Sequence, residues 1–205
     1  PHRERRLSLQ GHVGAYAVIP QPIAEPNDAK VEIHFEHVSK NFVPSSGGAA
    51  FVAVDDLSLD IRAGEMVAVL GKTGCGKSTM FNMIAGLMEP SSGRVRVAGH
   101  DPFGDFTWFR GKIGIVFQND RLMPWRTALQ NVLLGLQILN IDAKKAEALA
   151  RGWLERLGLS GHENDDPHQL SGVLRQQVWI ARAFAVVPAV LLLALEPGWV
   201  TLVSL

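Results

Sequence analysis

Gly71-Lys72-Thr73-Gly74-Cys75-Gly76-Lys77-Ser78-Thr79 decides how this chain is read. It matches G-x-x-x-x-G-K-[ST], a phosphate-binding loop, with Gly71, Gly76, Lys77 and Ser78 on the fixed positions. Its surroundings fit as well. Met66-Val67-Ala68-Val69-Leu70 is a short apolar run of strand type, and Thr79 to Leu87 reads as a helix that starts in the loop. A strand feeding a glycine-rich turn into a helix aims several backbone N–H groups, and the positive end of a helix dipole, at one spot. Lys77 is placed to reach β- and γ-phosphates, and the Ser78 hydroxyl to bind Mg²⁺.

Bulk properties narrow the classes. At 205 residues the chain can bury one sizeable core, or a core and a small subdomain. Charged residues make up 20% and the formal net charge is zero, so no global field draws it to nucleic acid or an anionic membrane. The one cysteine, Cys75, rules out a disulfide framework, fits a reducing compartment and reads as a small residue in a tight turn. The longest apolar tract, Ala183 to Leu195, is interrupted by Pro188 and too short for a bilayer. No signal peptide is legible near the start, so a cytosolic protein is expected, and Pro1 in place of Met reads as a fragment.

Residues 1–30, with Pro20, Pro22 and Pro26, show no period and read as a loosely ordered extension. Val31 to Val38 alternates as a half-buried strand, which would put His34 and His37 on opposite faces as surface histidines rather than a metal pair. Phe51 to Val54 and Leu57 to Ile61 are two further strand candidates, together an antiparallel sheet ahead of a parallel core. Arg94 to Ala98 and Ile113 to Phe117 read as strands, the second ending at Gln118. Thr127 and Asp142 are N-cap candidates for helices over Ala128 to Leu139 and Ala143 to Leu157, and Ser171 precedes a helix over Val173 to Val187. Val190 to Leu195 is the last strong strand.

Taken in order, these motifs resemble the ATP-binding subunit of an ABC transporter over about residues 31 to 200. The resemblance implies an α/β phosphate-loop NTPase core with a parallel sheet, an N-terminal antiparallel β subdomain and an inserted helical subdomain at about 119–187. Within Val38-Ser39-Lys40-Asn41-Phe42 it makes Phe42 the platform that stacks on adenine, as a flat apolar ring can. It makes Gln118 the Q-loop glutamine that touches Mg²⁺ and the attacking water. Asp120-Arg121-Leu122-Met123-Pro124-Trp125 looks like importer ATPases for nitrate, sulfonate and taurine, with Trp125 lining the groove for the permease. Leu170-Ser171-Gly172-Val173-Leu174-Arg175-Gln176-Gln177 stands where the family signature LSGGxRQR belongs, so Ser171 and Gly172 would bind the γ-phosphate held by an opposite subunit.

Three departures bear on chemistry. The signature's second glycine is Val173, which adds bulk where the backbone approaches phosphate, and Gln177 replaces the usual arginine. In Leu191-Leu192-Leu193-Ala194-Leu195-Glu196-Pro197 the Walker B aspartate is Leu195, leaving Ser78 and Gln118 as metal contacts, while Glu196 remains as general base. The chain stops at Leu205 without a recognisable D-loop or switch histidine, and the final strand and helices of the family are expected to be missing. That strand pairs between the phosphate-loop and Walker B strands, and Val200 to Leu205 is expected to fill part of its gap.

The resemblance implies an ATP- and Mg²⁺-dependent hydrolase that energises solute import. Two copies would sandwich ATP head to tail and act on permease subunits and, through them, an external solute-binding protein. The subunit would sit peripherally on the inner face of the cell membrane, with Lys77, Gln118 and Glu196 catalytic. The alternative is a degenerate or truncated subunit that binds nucleotide with little turnover. A phosphate-loop kinase or DNA-repair ATPase is a third reading, disfavoured by net neutrality, and no nucleic-acid partner is expected.

Overall fold

The computed structural model describes residues 17–22, 31–44, 49–72, 74–116, 122–196 and 199–204. They fall into two units, residues 1–109 with 192–205, and residues 110–191. The first holds β1 (Ala17–Pro22), β2 (Val31–Phe42), β3 (Phe51–Arg62), β4 (Glu65–Leu70), α1 (Lys77–Ile84), β5 (Ser92–Val97) and β8 (Trp199–Ser204). The second holds β6 (Ile113–Val116), α2 (Ala128–Ile138), α3 (Ala143–Arg156) and α4 (Gly172–Ala185). β7 (Val190–Glu196) starts in the second unit and ends in the first.

The expected antiparallel sheet has the strand order β3–β2–β5. Ile33, Phe35, Val38 and Ile61 are fully buried in it. Phe35 and Val38 are three apart in sequence, an odd spacing that strict alternation would send to opposite faces. A bulge at Glu36-His37 absorbs the extra residue, and a second at Asp55-Asp56 compensates on β3, so the two candidate strands there form one. His37 and Asp56 both have positive φ, 48° and 44°. Their N–H groups donate across the sheet to Ser58 Oγ (3.1 Å) and Ser39 Oγ (2.9 Å), and His37 Nδ1 lies 2.8 Å from Asp56 Oδ1. The bulge therefore overturns the opposite-face expectation for the histidines. Both are accessible, and each pairs with an aspartate, His34 with Asp60 and His37 with Asp56.

In the first unit's other sheet the order is β1–β4–β8–β7. Two expectations are corrected here. Residues 1–30 contain a strand, β1, antiparallel to β4 with Ala17 opposite Leu70 and Pro22 opposite Glu65. Its prolines lack a ladder donor, which an edge strand tolerates and a central one does not. The sheet is also not wholly parallel, because β8 lies antiparallel to β4, from Met66 opposite Val203 to Leu70 opposite Trp199. β7 and β8 are neighbours joined by two residues, which requires them to be antiparallel, so β7 runs parallel to β4. The gap expected between the phosphate-loop and Walker B strands is thus filled by the segment read as its filler, but with reversed polarity. Val67, Val69 and Leu202 are buried in this sheet, as are Met80, Phe81, Met83 and Ile84 on α1.

The second unit's core is built from one stripe per helix. Ala128, Val132 and Leu136 on α2, Ala146, Ala150 and Leu154 on α3, and Val178, Ala181 and Ala185 on α4 pack together with Leu159 and Leu170. The expected caps form. Thr127 and Gln130 make a reciprocal capping box, and Asp142 Oδ1 accepts the N–H groups of Lys144 and Lys145 at 3.1 Å. No helix among the described residues is long and apolar enough to cross a membrane.

Two backbone positions give opposite predictions. Val187, just past α4, is a β-branched residue held at φ 49° and is largely exposed. Val187→Gly should stabilise the protein by about 1 kcal/mol, raising the melting temperature by about 2–4 °C. Gly93 has φ +79°, and a Cβ there would lie 2.2 Å from the His37 carbonyl oxygen. Gly93→Ala should cost more than about 2 kcal/mol, read by the same melt.

Candidate functional site

β4 ends at Leu70 and α1 starts at Lys77, so the loop between them has six residues in which to reverse from strand to helix. Thr73 lies outside the described residues. The reversal uses glycine where only glycine is unstrained, with φ 84° at Gly74 and φ 91° at Gly76. Cys75 N–H closes a turn on Lys72 O (3.2 Å), and Cys75 is buried, in keeping with a small residue in a tight turn.

Gly76 is the N-cap of α1. It brings no side-chain acceptor, and the first turn carries no acidic residue. Among the described residues the first N–H groups of α1 therefore have no side-chain acceptor, unlike those of α2, α3 and α4, which a side chain caps. Lys77 adds a full charge at the same place. Its side chain is only 7% exposed, and Nζ donates to Gly71 O (2.6 Å) and Lys72 O (2.7 Å) and lies 3.3 Å from Cys75 Sγ. The ammonium is thus held inside the curve of the loop by the loop's own carbonyls. Unclaimed amides, the positive end of a helix dipole and a buried ammonium suit a polyphosphate chain.

Ser78 is exposed on the first turn, with its hydroxyl available to a cation bridging such a chain. Among the described residues no group of three or more His, Cys, Asp or Glu side chains could hold a metal ion. Gln118, the other expected contact, lies outside the described residues. Glu196 ends β7, and the order β4–β8–β7 sets its backbone two inter-strand spacings, roughly 10 Å, from the strand that feeds the loop. Phe42 ends β2 beside Phe51, and both rings are exposed, with Lys40 Nζ 5.6 Å from the Phe42 ring centre.

In the second unit, Ser171 caps α4, its Oγ accepting the Leu174 N–H at 3.2 Å. Gly172 opens the helix, and Val173 beside it is 66% exposed, so the departure from the signature stands at the surface. Trp125 is 75% exposed on a turn clamped from beneath. The clamp is Asn131, which sequence reasoning missed. It is fully buried, takes the Met123 N–H at 2.8 Å, and gives its amide to the carbonyls of Met123, Arg126 and Thr127. A polar residue within α2's buried stripe was the available signal.

A profile of the ABC transporter family matches residues 54–194. The taurine import ATP-binding protein TauB of Yersinia pestis bv. Antiqua (strain Antiqua) is 44% identical over 141 residues, 69% of this chain and 54% of that protein. The bicarbonate transport ATP-binding protein CmpD of Synechocystis sp. is 36% identical over 179 residues, 84% of this chain and 60% of that protein. A dimeric, post-hydrolysis structure of the ATP-binding cassette MJ0796, bound to ADP and Pi, superposes with a TM-score of 0.64 at 31% identity. It covers 78% of this chain and 72% of that one. The chain spans little more than half the length of the curated relatives it matches. It belongs to the ABC transporter family.

Both loop ends can be tested for the local roles derived above. Ser171→Ala should cost about 1 kcal/mol through loss of the α4 cap, and Ser171→Asp should retain most of it. Gly76→Ala, forced to φ 91°, should cost about 1–2 kcal/mol. Chemical denaturation of the three variants checks both values.

Proposed function

We propose that this member of the ABC transporter family binds ATP at residues 71–79 and hydrolyses it to energise import through a membrane permease. The observation that carries the reading is the α1 terminus: uncapped amides and a buried Lys77 ammonium converge where a triphosphate's charge would lie. In the assignment proposed here, Phe42 stacks on the adenine, Ser78 and Gln118 hold Mg²⁺, and Glu196 takes a proton from the attacking water. Mg²⁺ supplies charge neutralisation on the β- and γ-phosphates. Lys77 and the loop amides stabilise the same charge as it shifts toward the leaving group. Catalysis of this kind is mostly positioning, which suits a short loop held between a strand and a helix.

Ser171 and Gly172 serve a second copy in this reading. They complete the phosphate site of an opposing chain, and two chains pair head to tail around two nucleotides. Trp125, presented on its clamped turn, is the contact with the permease. The solute is a small compound of the nitrate, sulfonate or taurine kind, delivered by an external binding protein, and the chain works peripherally at the inner face of the membrane. The names of TauB and CmpD as import and transport ATP-binding proteins support this assignment.

A second reading keeps nucleotide binding and removes most turnover. Leu195 stands where a metal-holding carboxylate belongs, and Val173 replaces a glycine at the signature. Single-turnover hydrolysis of Mg-ATP separates the two. Leu195→Asp with Val173→Gly should raise the rate at least about tenfold, since a placed charge contact in a transition state is worth about that much or more. Glu196→Gln in that background should remove the gain. A wild-type rate that Glu196→Gln leaves untouched would contradict the role given to Glu196.

A further inference from the structure

The antiparallel sheet of the first unit has β5 as one edge, and along it runs a groove of about 400 Å³ lined in part by Glu89, Ser91, Ser92, Arg94, Arg96 and Asp101. The hydrogen bonds at its far end fix which backbone groups face outward. Ala98 N–H donates toward β2, to Glu32 O at 2.7 Å, whereas Val97 N–H donates to His100 O and Val97 O accepts the His100 N–H, both at 2.9 Å. Backbone groups alternate in direction along a strand, so Val95 directs its N–H and C=O to the same outer side as Val97. The Val97–His100 pair is itself a short antiparallel bridge on that edge.

Arg94 and Arg96 flank Val95, two residues apart and both exposed. Opposite them on β2 are Glu36 and His34, and His34 is bonded to Asp60. Among the described residues neither guanidinium forms an ion pair; Arg96 Nη1 donates only to Gly99 O, at 3.1 Å. Asp101 is engaged locally, its Oδ1 accepting the N–H groups of Phe103 and Gly104. Among the described residues no hydrogen bond claims the outward Val95 N–H or C=O, so the groove presents a backbone donor and acceptor between two positive side chains, which repel one another.

We propose that the β5 edge binds an extended peptide segment bearing acidic side chains at alternate positions, added as a further antiparallel strand. Val95 would exchange both backbone bonds with one residue of the segment. The residues opposite Arg94 and Arg96 then form the non-hydrogen-bonded pairs, whose side chains approach most closely, and an acid–x–acid pattern places a carboxylate against each guanidinium. Main-chain bonds supply affinity and the alternating charges supply choice of partner.

The test titrates nitrogen-15-labelled protein with the capped peptide Lys-Thr-Glu-Val-Glu-Thr-Lys. The expected result is amide shifts centred on residues 91–97. Affinity should fall at least about tenfold when the peptide's central valine is N-methylated, which removes its backbone donor and keeps its charge. An equal fall is expected for the Arg94→Gln/Arg96→Gln protein, whose spectrum elsewhere reports its folding. Absence of binding would overturn the proposal and leave the arginines as a guard against edge-to-edge association. Equal binding of the N-methylated peptide by the wild-type protein would overturn it independently of how the variant folds.

Discussion

The Lys77 ammonium, held 2.6 and 2.7 Å from two loop carbonyls, is the interaction on which the site depends. A charge so nearly buried needs acceptors, and the only way to supply them within five or six residues is to curl the loop around it. That curl requires left-handed backbone at Gly74 and Gly76, and Gly76 in turn leaves α1 without a cap. The same geometry that satisfies Lys77 therefore points the first amides of α1 outward. Sequence, strain and electrostatics meet in one turn.

The sheet beneath the loop solves a different problem. A strand buried between β4 and β7 would leave both with unpaired backbone groups if it were absent. β8 takes the place with its polarity reversed, and its register opposite Leu70 keeps β7 two spacings from the loop strand. Reversal changes which end of the middle strand meets the loop, Trp199 being its first residue and the one opposite Leu70. Spacing is a property of the backbone ladder and survives reversal, whereas the identity of the residue at the loop end does not.

Much of this was legible in the chain itself. The caps at Thr127, Asp142 and Ser171 depend on neighbours a few residues away, and the structure has them as read. What escaped depends on partners distant in sequence. The bulges at His37 and Asp56 are set by serines seventeen or more positions away; the odd Phe35–Val38 spacing was visible but its resolution was not. β1 carries prolines that argue against a strand, and only its place at a sheet edge makes them harmless. The reversed direction of β8 is likewise a tertiary outcome, since an apolar alternation reads the same either way.

The direct measurement is calorimetric titration of the purified chain with ATP and ADP, alongside Lys77→Met. The account predicts that both nucleotides bind the wild-type chain and that the substitution weakens binding at least about tenfold, a loss of 1.4 kcal/mol or more. Binding by the variant as tight as by the wild type, or no binding by a folded wild-type chain, would contradict it.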